Sequence, residues 1–275
     1  MRASSFERTT TYVVLSVFSL AVIYPILSIL FLAMHRKEDL VTGFAIPHKL
    51  DLHSFSVAWN LGDFATGYKS SFIVAFTVTV VSAVLSVGTG YAFGTMSFRG
   101  DRFVFALLLL GIIFPYEATV IPLYYDFQSF GLLNTYWALI LPQIGQSVSF
   151  GTFWMRAFFR SSPRSLIEAA RMDGASSFGV LRQVLLPQAR PALTTLCALV
   201  FVYTWNEFLL ALVLIQDPSH YTAPLGLSFF AGTARAGDPT AVAAAAILVT
   251  LPIILVYIFL QRHFIRGMLA GAIKE

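Results

Sequence analysis

The sequence predicts an all-α membrane protein with six transmembrane helices, and three observations carry that prediction. Of its 275 residues, 57% are hydrophobic and only 12% charged, with a mean hydropathy of +0.75, well outside the composition of soluble domains. The apolar residues gather into runs of roughly twenty or more, the length a helix needs to cross about 30 Å of hydrocarbon. Lysine and arginine fall unevenly on alternate connections between those runs, as they do in chains that insert with a defined orientation.

The first run, residues 12–34, follows Arg2 and Arg8 and ends in Ala33-Met34-His35 with no small-x-small cleavage site. It is too long for a signal-peptide core and reads as a retained helix, kinked at Pro25. A polar loop, 35–69, comes next, so the chain divides into 1–70, the first helix with its external loop, and 71–275, a five-helix core. The second run, 71–94, is rich in Val and Thr, and its Gly90-x-x-x-Gly94 spacing permits close helix approach. Arg99, Asp101 and Arg102 form a hydrophilic turn before the third run, 103–125. Pro115 and Pro122 break that run, so its last third is a separate short helix or an irregular segment sheltered by protein. The fourth run, 135–159, holds Pro142, Gly145 and Gly151 and is the least hydrophobic. A charged segment, 161–187, precedes the fifth run, 192–215. An outer loop with Asp217, Pro218, Pro224 and Pro239 leads to the sixth, 241–261.

Six spans put both termini on one side. Of the eighteen Lys and Arg residues, Arg36, Lys37, Lys49, Lys69 and Arg235 fall on the opposite side and the other thirteen on the side of the termini. The termini and segment 161–187 are therefore expected in the cytoplasm, in a multi-pass protein of the cell membrane. The net charge of +4 is spread over short loops and gives no reason to invoke nucleic acid. A single cysteine, Cys197, excludes an intrachain disulfide, and the five histidines show no ligand spacing, so neither a metal nor a bound cofactor is expected.

Segment 161–187 reads as two short helices meeting at a turn. Ser162-Pro163 opens the first, Gly174 supplies the left-handed residue that ends it, Ser176 or Ser177 caps the second, and Pro187 stops it. The alanines between leave room for another protein to approach closely. Ser165 and Glu168 also fit a capping box, and Glu168 could pair with Arg164 or Arg171. Spacing alone leaves this local role level with a docking role.

The pattern Glu168-Ala169-Ala170, three residues, Gly174, nine residues, Val184-Leu185-Leu186-Pro187 resembles the EAA loop of membrane subunits of ATP-binding-cassette (ABC) importers, with Val184 where isoleucine is usual. Three further stretches and the chain's ending resemble the MalG-like permeases of carbohydrate importers, over most of the chain from about residue 70. They are Gly131-Leu132-Leu133-Asn134-Thr135, Trp205-Asn206-Glu207-Phe208, Thr222-Ala223-Pro224-Leu225-Gly226-Leu227 and Gly267-Met268-Leu269-Ala270-Gly271-Ala272-Ile273-Lys274. The resemblance implies a type I (MetI-like) transmembrane domain in which Glu168, Ala169, Ala170, Asp173, Gly174 and Ala175 dock on a separate ATPase. It implies a second ATPase contact through Gly271, Ala272, Ile273 and Lys274, followed here by Glu275 where glycine is usual. The partners implied are a second permease, an ATPase dimer that holds ATP and Mg²⁺, and an extracytoplasmic solute-binding protein. The implied cargo is a sugar, an oligosaccharide or a related polyol such as glycerol phosphate.

Glu117 and Glu207 fall within spans, where an ionisable group is expensive and functional by default. Each lies about fourteen or fifteen residues from the inner end of its run, roughly 21 to 22 Å of helical rise, so both are expected at similar depth in the outer half. With Trp205 and Asn206 they form the expected lining of a translocation path, since sugar hydroxyls pair with carboxylates and amides and a pyranose stacks on an aromatic face. The competing reading makes them interhelical hydrogen-bonding groups or headgroup-level residues. Tyr116, Tyr124 and Tyr125 carry less weight, because tyrosines are common at membrane interfaces. No lysine follows a glycine, so the chain lacks a phosphate-cradling Gly-Lys-Ser/Thr and is not expected to be an enzyme. The rival, an ion-coupled secondary transporter using the two glutamates as ion ligands, leaves the EAA spacing unexplained.

Overall fold

The computed structural model describes residues 5–39, 43–234 and 238–272, and all regular structure among them is helical. The long helices are α1 (Ser5–Ala33), α3 (Phe64–Thr95), α6 (Tyr136–Ser161), α9 (Leu186–Trp205) and α12 (Pro239–Ala272). Between them lie α2 (His53–Leu61), α4 (Asp101–Ile113), α5 (Val120–Ser129), α7 (Arg164–Met172), α8 (Ser177–Gly179), α10 (Leu209–Leu214) and α11 (Ala223–Ala234). Four helical stretches are long and apolar enough to cross a membrane: Glu7–Ala33, Phe64–Thr95, Ser177–Trp205 and Pro239–Phe259. The pair Asp101–Ile113 and Tyr116–Ser129, bent by 90° at Pro115, makes a fifth if it counts as one broken span.

The chain forms two compact units, Met1–Ala65 with Gly226–Leu251, and Thr66–Leu225 with Pro252–Glu275. In the first, the Ser54 and Thr240 hydroxyls share a buried hydrogen bond of 2.9 Å, and Asp238 starts α12 by accepting from the backbone N–H of Ala241 at 3.0 Å. Phe44 stacks on Tyr24 and meets Phe31 edge-on, while no residue of the most apolar window of α1 is buried. An apolar window this exposed needs lipid or a partner around it.

In the second unit α6 packs against α4, α9 and α10. Its composition follows from that position. At 26 residues α6 is long enough to cross a bilayer, yet it buries Gln143, Ser149 and Thr152, each satisfied: Gln143 and Ser149 donate back to the Leu139 and Gly145 carbonyls of α6 at 2.9 and 3.2 Å. Thr152 hydrogen-bonds Thr89 of α3 at 2.6 Å, and the Trp154 indole donates to the Ala192 carbonyl of α9 at 3.0 Å. The glycine seam expected on α3 is present: a Cβ on Gly90 would stand 2.5 Å from Cβ of Met155, and one on Gly94 2.9 Å from Cβ of Phe159.

Several boundaries differ from the sequence expectation. The first loop is partly helical, since α2 lies within it and α3 begins at Phe64 rather than residue 71. The expected outer loop after the fifth run contains α11, whose start is fixed when the Ala223 N–H donates to the buried Ser71 hydroxyl at 2.9 Å. Pro187 does not stop a helix. A π-helical stretch, Val180–Leu185, precedes it, and Leu186 donates to the carbonyl of Leu181 five residues back. That shift accommodates the missing proline N–H, which in a regular helix would cost about 3 kcal/mol, and lets α8 run into α9.

Candidate functional site

Two regions bring the sequence-predicted residues together. The first is the connection from α6 to α9. Chain reversal there is set by Gly174, whose φ of +83° belongs to the left-handed region. Ala175 donates to the carbonyl of Ala170 at 2.9 Å and Gly174 to that of Arg171 at 3.0 Å, the paired bonds of a Schellman cap. The Ser176 hydroxyl then accepts from the Gly179 N–H at 3.1 Å and starts the next helix. Tyr91 ties the connection to α3 by donating to the Ser177 carbonyl at 3.0 Å. Ile167, Ala170 and Ala175 turn inward against the core, while α7 packs against the π-helical stretch.

The opposite side of α7 is left open. Glu168, Ala169, Asp173 and Gly174 are exposed, and Met172 is 88% exposed. Among the described residues Glu168 has no ion pair and no capping bond, so the expected capping box is not formed. The reason is register: α7 begins at Arg164, which puts Ser165 inside the helix instead of at its cap. Likewise the Ser162 hydroxyl turns back to the Phe158 carbonyl, and Pro163 takes the cap position. Of the tail, Gly271 and Ala272 close the backbone of α12, and Ile273 and Lys274 lie outside the described residues.

The second region lies where two helices break. Pro115 bends the chain between α4 and α5, and Tyr116–Thr119 forms a 3₁₀ turn at the elbow that leaves Glu117 exposed. The fifth run is also interrupted, since α9 ends at Trp205 and α10 starts at Leu209. Glu207 occupies the gap and accepts from the Leu210 N–H at 2.6 Å, capping α10 with a carboxylate. The Tyr116 hydroxyl is buried without a hydrogen bond of good geometry and lies beside the Glu207 carboxylate, with Glu117 also close by. Asn206 donates its side-chain amide back to the Val202 carbonyl at 2.8 Å. Trp205 is 2% exposed, stacked on Phe201 and met edge-on by Tyr68, so both neighbours cover its ring.

A cavity of about 760 Å³ opens at the same elbow, between the end of α4, Tyr116, Thr119 and Leu123 on one side and Pro142, Gly145 and Gln146 of α6 on the other. Its walls are largely apolar, with Gln146 its amide, and Glu117, Trp205, Asn206 and Glu207 do not line it. Sequence reasoning gave Tyr116 little weight, although Pro115 immediately before it signals a turn. It also gave Asn134 no role of its own. At a φ of 59°, Asn134 accepts from the backbone N–H groups of Gln216 and Asp217, and its own N–H donates to Leu214. It thereby clamps the end of α10. Beyond that clamp the Ser219 backbone N–H, then its hydroxyl, and more weakly His220, hold the Asp217 carboxyl below the usual carboxylate range.

Residues 86–270 match the protein family described as the binding-protein-dependent transport system inner membrane component. The chain is 33% identical to the probable ABC transporter permease protein YurM of Bacillus subtilis, over 97% of this chain and 88% of that protein. It is 33% identical to the trehalose transport system permease protein SugB of Mycobacterium tuberculosis, over 91% of this chain and 92% of the relative. Among solved structures, a bacterial ABC transporter involved in the import of the acidic polysaccharide alginate aligns with a TM-score of 0.80 at 26% identity, covering 96% of this chain and 99% of that one.

Proposed function

The chain belongs to the family of binding-protein-dependent transport system inner membrane components, and we propose that it is a permease subunit of an ABC importer that moves a saccharide into the cell. One observation carries the reading: α7 holds Glu168, Ala169, Met172, Asp173 and Gly174 outward, uncovered by the rest of the chain, at the turn where the EAA spacing falls. Docking of an ATPase there would couple nucleotide-driven motion to α9 through the π-helical stretch, since α7 packs on that stretch and α9 continues from it. ATP and Mg²⁺ belong to that partner. The saccharide class is supported by the trehalose permease relative and the alginate importer neighbour.

The topology that fits is six spans with both termini cytoplasmic: α1, α3, the bent α4–α5 pair, α6, the α8–α10 stretch and α12. α6 counts as a span despite its polarity because its polar residues face other helices. A second permease and lipid would cover α1, and a solute-binding protein would deliver cargo on the outer side. Glu207 and Glu117, gathered around Tyr116, are the groups that the path would expose to sugar hydroxyls, with Asn206 beside them. Trp205 joins them only after its covering aromatics move. The tail residues Gly271, Ala272, Ile273 and Lys274 supply a second ATPase contact.

Purification of the chain from the membrane of its own host tests the assignment. The permease should bring down an ATPase, and Gly174→Asp should lower ATPase-coupled transport while the chain still inserts. Transport by the chain alone in liposomes, driven only by an ion gradient, would overturn it.

A further inference from the structure

The turn from α3 to α4 lies against the last turns of α6, and arginines gather there. A Cβ on Gly94 would stand 3.4 Å from the backbone nitrogen of Arg160, which shows how closely the helices meet. One turn earlier, Arg156 is pinned: its Nε donates to the Phe93 carbonyl at 3.2 Å and its guanidinium stands 4.0 Å over the Phe105 ring. Arg160 and Asp101 both lie close enough for their charges to act on Arg156, and Arg99 and Arg102 flank Asp101 in the turn. Arg99, Arg102 and Arg160 are exposed, and Asp101 is the carboxylate whose charge reaches Arg156. One oxygen of that carboxylate is already engaged, accepting from the Arg102 N–H at 2.6 Å. Among the described residues none of the four arginines forms an ion pair. Exposed aromatic residues stand at the same place, Phe98 at 41% and Phe103 at 68%, and α4 buries none of its residues.

We propose that this cluster binds the phosphate headgroup of an anionic phospholipid in the inner leaflet. Arg156 and Arg160 stand close enough to repel each other unless an anion lies beside them, Arg99 and Arg102 add exposed charge on the neighbouring turn, and guanidinium groups match phosphate oxygens in pairs. The exposed phenylalanines and the uncovered flank of α4 add what a soluble anion or an ATPase surface would not need, an apolar bed for acyl chains next to the charge. The inference rests on the cytoplasmic placement of this turn under Proposed function. It does not depend on the cargo.

The test is native mass spectrometry of the importer complex purified in detergent containing equal phosphatidylglycerol and phosphatidylcholine. The expected result is selective retention of phosphatidylglycerol. Each arginine removed should weaken retention about fivefold, and the triple variant Arg99→Gln, Arg102→Gln, Arg160→Gln up to about a hundredfold. The matching triple lysine variant keeps the charge without the paired geometry and should retain more lipid than the glutamine variant but less than wild type, which controls for misfolding. Equal retention of phosphatidylglycerol by wild type and the glutamine triple variant would overturn the proposal. So would displacement by soluble glycerophosphate at the lipid's own concentration. If no ATPase co-purifies yet retention stays selective, the importer reading fails and the lipid site stands.

Discussion

Glu207 and Gly174 are the two residues on which most depends, and each has a structural duty that must be separated from its proposed role. The Glu207 carboxylate caps α10, so Glu207→Ala should destabilise the fold by about 1 kcal/mol, the usual worth of a cap, seen as a lower unfolding midpoint. Glu207→Gln keeps an oxygen for the Leu210 N–H and removes only the charge. If the charge serves the path, the glutamine variant should lose most transport with its unfolding midpoint and basal ATPase activity nearly unchanged. Transport equal to wild type would reduce Glu207 to its cap. Gly174 sits at a φ of +83°, where a β-branched side chain costs about 1 to 2 kcal/mol. Gly174→Val should therefore loosen the turn, which limited proteolysis between α7 and α8 would reveal as faster cleavage. The left-handed glycine was legible because helix ends call for one residue type. The failed capping box was not, because a one-residue change in where α7 starts moves Ser165 out of the cap, and no local signal sets that start.

If an ATPase docks on α7 as proposed, the break and the π-helical stretch would make α8–α10 a transmission element as well as a span. Pro187→Ala would permit a regular helix through Val180–Leu185. Closing one π turn removes a residue's worth of rotation, about 100° around the axis, so α7 would be re-aimed relative to α9. The variant should be at least as stable to heat as wild type yet transport less per ATP hydrolysed, measured as substrate uptake against phosphate release. Unchanged coupling would show that the π stretch only accommodates the proline. Sequence periodicity located α6 within two residues at each end, because glycine and proline inside a span leave its apolar length intact. It missed α11, whose Pro224 reads as a loop signal but sits in a first turn, where a missing N–H costs nothing. At the α3–α6 seam, Gly90→Leu should collide with Met155 and destabilise by about 1 to 3 kcal/mol, while Gly88→Leu, with open space around it, should be tolerated. Unfolding midpoints of the two variants compare them directly.

For the whole molecule, what the chain leaves uncovered says as much as what it buries. α1 is apolar and buries none of its most hydrophobic window, α4 buries nothing, and the outward face of α7 is open. Composition foretold a bilayer around the chain, and the helix-end signals at Gly174 and Ser176 foretold the turn there. The sequence put Glu117 and Glu207 at similar depth, but the place of Tyr116 between them was beyond it, because that depends on two helix breaks about ninety residues apart in the chain meeting in space. On the proposed function, the α7 face receives an ATPase on the cytoplasmic side. Met172, exposed at its centre, offers the most direct measurement: Met172→Cys in a Cys197→Ala background, treated with a bifunctional thiol crosslinker in inside-out vesicles carrying the assembled complex. Labelling is expected from the cytoplasmic side, with a crosslink to the ATPase subunit whose yield changes when ATP is added. Labelling only from the opposite side, or cytoplasmic labelling with no ATPase crosslink in a complex that still transports, would contradict it.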